Sequence, residues 1–208
     1  MRPGAYNNIE ALIEEGCPVC ITFSDEQGDS SDLLYCELTQ RARYGGSFII
    51  EHQRCKPGDY ILGISEISPV DYYLRSGRYK DSATAQKAVF SLPRVIKTFR
   101  SIRIEPWPQK AEKFDVLLLY LKPEKAMRII QAYAYQSGNA IPSRSIGAAS
   151  ICGDCTARPL TEAIGLSYGC KGSRKHSRYD NNEVPLGISY GLLEIIEEGL
   201  SNIPQTFD

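Results

Sequence analysis

The sequence has no long apolar stretch. Its longest run, Val116 to Leu121, falls far short of the roughly 20 residues that span a bilayer, so no membrane partner is expected. The first residues, MRPGAYNNIEALIEEG, lack the apolar segment of a secretory leader, and a soluble, cytoplasmic protein is expected. An excess of charge is missing as well. The 24 Lys and Arg face 25 Asp and Glu, a formal net charge of −1, which gives no electrostatic reason for a nucleic-acid partner. Neither G-x-G-x-x-G nor a P-loop occurs, so nucleotide phosphates have no glycine-rich cradle. Histidine occurs only as His52 and His176, and hydrolysis of the Ser/His/Asp kind is not expected. Internal repeats and low-complexity segments are absent.

What remains is an ordinary globular composition with one unusual residue type. The 208 residues, 42% hydrophobic and 24% charged, suffice for one sizeable core. Apolar spacing predicts helices over Tyr6–Glu15, from Ser30 or Ser31 to about Arg43, over Ser82–Phe90, over Pro123–Tyr135 and over Tyr190–Leu200. In the fourth, Met127, Ile130 and Ala134 are expected to form the buried stripe; in the last, Leu192, Leu193, Ile196 and Leu200. Strands are expected at Val19–Phe23, Ser47–Glu51, Ser101–Glu105 (closed by Pro106-Trp107-Pro108), Phe114–Leu121, Gly165–Tyr168 and Val184–Ile188. Residues 60–64 and 69–76 read as helical or mixed, and HQRCKPGD, Ser137–Cys155 and Cys170–Asn182 as loops, the second with one helical turn at most. Strands and helices intersperse without clean βαβ order, which predicts an α+β single domain with a mixed sheet and flanking helices.

There are seven cysteines, an odd number, in a chain too long to need covalent staples. In a reducing compartment such thiols serve as metal ligands, catalytic groups or core residues. Cys152 and Cys155 form C-x-x-C around Gly153, which lets the backbone fold back so that both sulfurs can face one ion. Cys170 follows fifteen residues later between glycines. Cys36 and Cys55 stand alone in sequence but beside cations, Arg41 and Arg43 for the first and Arg54 and Lys56 for the second, and cations favour thiolates. Cys17 and Cys20 lead into a strand rather than a helix, and residues three apart on a strand face opposite ways, so core packing is expected for both. His52, three residues before Cys55, is a possible further ligand. The turn Gly172-Ser173-Arg174 can present N–H groups and charge to an anion, or be a solvated basic loop paired with Asp180 and Glu183.

The block CELTQRARYGGSFIIEHQRCKPGDYILG, Cys36 to Gly63, and the later GLSYGCKGSRKHSRYDNNEVPLGI, Gly165 to Ile188, together resemble the two hallmarks of a prokaryotic family, the domain of unknown function 169 or ArCR family, common in archaea and anaerobes. The resemblance extends over nearly the whole chain. It implies a site made of Cys36, Cys55, Cys170 and one of Cys152 and Cys155, with no counterpart for Cys17 or Cys20. On that set the leading expectation is a [4Fe–4S] cluster held by Cys36, Cys55, Cys152 (or Cys155) and Cys170, with a small anionic substrate or a redox partner protein. Zinc on the same thiols is the alternative cofactor. A metal-free thiol enzyme or small-anion-binding module, with Cys55 as nucleophile, is the alternative from another class.

Overall fold

Alternation along one strand sets the plan of the molecule. In β5 (Val116–Leu121) the odd side chains Leu117, Leu119 and Leu121 enter one core and the even ones Val116, Leu118 and Tyr120 enter another. A strand buried on both faces must lie inside a sheet covered on both sides. The computed structural model, which describes residues 6–96, 99–107 and 113–204, has that arrangement.

Among the described residues the sheet has seven strands in the order β2-β3-β4-β1-β5-β7-β6, where β1 is Val19–Ser24, β2 Asp29–Ser31, β3 Phe48–Gln53, β4 Ser101–Pro106, β6 Ile164–Leu166 and β7 Val184–Ser189. Only β2 and β3 run parallel; every other pair is antiparallel. The fold is α+β with a mixed sheet. One face carries α1 (Asn7–Glu10), α6 (Pro123–Ser137) and α9 (Leu193–Asn202). The other carries α2 (Tyr35–Arg43), α3 (Lys56–Ile61), α4 (Val70–Arg75), α5 (Ser82–Phe90) and a π-helix, Ser150–Ala157. Two further short helices are α7 (Pro159–Glu162) and α8 (Lys171–His176). No helix among the described residues is long and apolar enough to cross a membrane.

Several expectations are corrected. The α6 stripe is Ala126, Ile129 and Ala132, whereas Met127 is 41% exposed. Close packing on α9 sets this phase: a Cβ on Gly199 would stand 2.4 Å from the Ala132 carbonyl oxygen, so small residues occupy that contact. In α9 itself Leu193, Ile196 and Leu200 are buried as expected, while Leu192 is half-buried. Ser30 and Ser31 belong to β2, and α2 starts at Tyr35, where the Glu37 carboxylate accepts the Leu34 N–H at 2.8 Å. The N-terminal helix stops at Glu10. The expected loops around Cys55, Cys152 and Cys170 each contain a short helix. Pro108, expected to close β4, lies outside the described residues.

Candidate functional site

Each of those helices begins at a cysteine or just before one. Cys55 is the residue capping α3, Cys170 caps α8, Cys36 is the second residue of α2, and Cys152 the third of the π-helix. All four line one cavity of about 640 Å³ between these elements. Four first turns therefore meet there, with N–H groups that the helices themselves leave without partners. At Cys170 the use of such a group is explicit: the Ser173 N–H points at Sγ at 3.4 Å, and the Ser173 hydroxyl, 3.0 Å from Ser150 Oγ, accepts from the Cys170 N–H at 3.0 Å.

Electrostatics separates the four thiols. Burial raises Cys152 well above its ordinary pKa, and the neighbouring Cys55, Cys170 and Cys36 raise it further, so the thiols feel one another. Burial pushes Cys36 up to about 12, partly offset by Ser177. Cys55 is raised by burial too, against the Gly58 N–H and the Arg78 cation. At Cys170 the burial penalty is outweighed by hydrogen bonds from Ser173 and Ser150, and its pKa is lowered. Cys170, and not Cys55, is the thiol whose ionisation the fold favours.

The C-x-x-C pair separates. Cys152 faces the cavity, while the fully buried Cys155 donates its S–H to the Pro185 carbonyl at 3.2 Å. The wider turn of a π-helix takes residues three apart off a common face. That helix lies close on the sheet because β6 and β7 place glycines beneath it: a Cβ on Gly187 would stand 1.8 Å from the Cys155 oxygen, and one on Gly165 1.7 Å from the Asp154 oxygen. Cys17 points its thiol to the Arg43 carbonyl at 3.2 Å, and Cys20 is buried in the opposite core. His52 is largely exposed and faces Asp59 at 3.9 Å, whereas His176 lines the cavity.

The Gly172-Ser173-Arg174 turn serves other partners than a free anion. The Ser173 N–H faces the Cys170 sulfur, and the Arg174 guanidinium donates to the carbonyls of Tyr168, Asp180 and Glu183 while covering the Tyr179 ring at 4.4 Å. The Glu183 carboxylate is held by buried Arg43 at 2.9 and 2.5 Å. The expectation against Ser/His/Asp hydrolysis supposes that no nucleophile-elbow pattern is present, and this is corrected: two G-x-S-x-G stretches occur, 165–169 and 187–191. Neither is a nucleophile elbow. The Ser167 hydroxyl is buried and donates to Asp154 at 2.8 Å, and Ser189 has ordinary extended backbone at φ −66°, ψ 143°.

The donors lining the cavity are chiefly sulfur, which suits soft and borderline metals. Thiolates on one tetrahedral zinc ion stand about 3.8 Å apart, given Zn–S bonds of about 2.3 Å. Among the described residues no three His, Cys, Asp or Glu side chains are gathered to hold a single metal ion.

Comparison with known proteins agrees with the resemblance. The chain is 26% identical over 182 residues to "Uncharacterized protein MJ0308" of Methanocaldococcus jannaschii, a match covering 83% of this chain and 78% of that protein. No solved structure matches it. The family model described as Uncharacterised ArCR, DUF169, matches residues 10–199, which include all the cavity cysteines, and the chain belongs to that family.

Proposed function

We propose that this chain is an iron–sulfur protein in which Cys36, Cys55, Cys152 and Cys170 hold a [4Fe–4S] cluster. The observation that carries the reading is the convergence of four thiols from four separate segments on one cavity, while the three remaining cysteines are spent elsewhere. Four cysteine thiolates are the usual ligand set of such a cluster, which supplies electron transfer or, with one iron open, Lewis acidity. The chain's own residues do the rest. Ser173 and Ser150 favour the Cys170 thiolate, and Ser177 and Gly58 do so more weakly at Cys36 and Cys55. Loading requires the three raised thiols to give up their protons, so metal uptake falls with acidity. All seven cysteines are free thiols, which suits a reducing, cytoplasmic setting.

Anaerobic purification tests this. The expected protein is brown, with broad near-ultraviolet and visible absorbance and matching iron and sulfide. Cys170→Ser is expected to abolish both, and Cys17→Ser to leave them. Colourless protein carrying zinc, or loss of iron in Cys17→Ser, overturns the assignment. One observation favours a second reading: the lowered pKa of Cys170 is what a metal-free thiol enzyme requires of its nucleophile. Colourless, metal-free protein whose Cys170 alone is alkylated at neutral pH would establish it.

A further inference from the structure

We infer that the mouth of the thiol cavity binds a small, multiply charged oxyanion, with Arg75 and Arg78 as its principal contacts. The inference rests on the same cavity as the cluster reading, but on its rim instead of its thiols.

The walls of this cavity include Arg54, Lys56, Arg75, Arg78, Lys171 and Lys175 and, among the described residues, no Asp or Glu. The whole chain has a net charge of −1, so this excess is local. Arg54 is shared with Glu37 at 3.5 Å; the other five form no ion pair among the described residues. A concave site lined by charge of one sign concentrates ligands of the other.

The segment from Tyr72 to Arg78 makes the case specific. It contributes Tyr72, Tyr73, Arg75 and Arg78 to the wall, and it contains no cysteine. It therefore adds nothing to a ligand set and brings only rings and guanidinium groups. The Arg78 guanidinium lies over the Tyr73 and Tyr72 rings at 5.2 and 5.7 Å, and its charge reaches Cys55. Arg75 uses Nε on the Asp71 carbonyl at 3.3 Å, so its two terminal nitrogens are unengaged among the described residues. Guanidinium groups held this way bind phosphoryl or carboxylate oxygens in pairs. The whole cavity measures about 640 Å³, within the roughly 300–1,000 Å³ typical of small-ligand sites, and the anion takes only its mouth. Leu34 and Ile151 on the same wall give the carbon part of a ligand an apolar surface.

Isothermal titration of the full-length protein with inorganic pyrophosphate and with citrate tests the site, on protein as purified and after iron removal by chelation. Saturable binding of at least one is expected, weakening at least tenfold in Arg75→Gln/Arg78→Gln and measurably in Lys171→Gln, which lies on a different element. Lys87→Gln, on the exposed side of α5, is expected to bind as the unaltered chain does. Tighter pyrophosphate binding assigns a phosphoryl ligand, tighter citrate binding a carboxylate. Absence of binding by both, or equal weakening by Lys87→Gln, overturns the proposal. Its fate is separate from that of the cluster: colourless, iron-free protein that still binds with this arginine dependence sinks the cluster alone, and brown protein that binds neither anion sinks the anion site alone.

Discussion

The two faces of the sheet are built by different rules. On one, α6 and α9 are long, regular and locked together by Ala and Gly contacts. On the other, the helices that deliver the cysteines have between six and nine residues, and one is a π-helix. This second face also holds the buried polar residues Gln40, Gln53, Asp59 and Ser177, on or beside the elements that deliver Cys36, Cys55 and Cys170. The comparison teaches a division of labour: regular packing on one side, and short helices with buried polar groups around a site on the other.

Two glycine substitutions test that division, the larger effect first. Gly187→Ala drives a methyl group into the Cys155 carbonyl, backbone against backbone, and lifts the π-helix from the sheet. A loss of about 3 kcal/mol or more is expected in urea unfolding, together with loss of iron. Gly199→Ala on the opposite face meets the Ala132 oxygen. Helix propensity gains about 1 kcal/mol there, but the clash is with backbone and wins, leaving a net loss of about 1–2 kcal/mol. Iron content is expected to stay unchanged in Gly199→Ala; bleaching in that variant would mean the faces are coupled.

The same contrast explains what the sequence made legible. The β-branched and leucine-rich strands β1, β4, β5 and β7 follow from pattern, because a buried strand leaves a strong apolar signature. The helices α3 and α8 leave none. Each is six residues long, and Pro57, Gly58 and Gly172 argue for loops until tertiary contacts are considered. The π-helix has no 3.6-residue period to find, so the choice between Cys152 and Cys155 lay beyond spacing rules. The family resemblance brought Cys36 and Cys55 beside the C-terminal cysteines, which neither spacing nor composition does. The α6 stripe is out of phase with the expected Met127, Ile130 and Ala134: the buried residues are Ala126, Ile129 and Ala132, a phase set by the close approach of α9 to Ala132, which the pattern of α6 alone does not show.

A smaller effect concerns pH. Burial raises Asp59 to about 6 from its ordinary 3.8, against the opposing influence of His52 and Gln53. Between those values the folded chain holds a proton that the unfolded chain has released, so stability from this group falls as pH rises through that window and levels off above about 6. Asp59→Asn is therefore expected to match the unaltered chain near pH 4 and to exceed it by a margin that grows up to pH 6 and then stays constant, as read from urea midpoints. A margin that grows only above pH 7 would assign the titration to another group.

The central claim turns on two cysteines of one C-x-x-C motif with opposite fates. The direct measurement is iron and sulfide per chain, with the visible spectrum, for anaerobically purified Cys152→Ser and Cys155→Ser side by side. Loss of iron and colour in Cys152→Ser with both retained in Cys155→Ser is the predicted result. Retention in Cys152→Ser, or equal loss in both, would contradict the account.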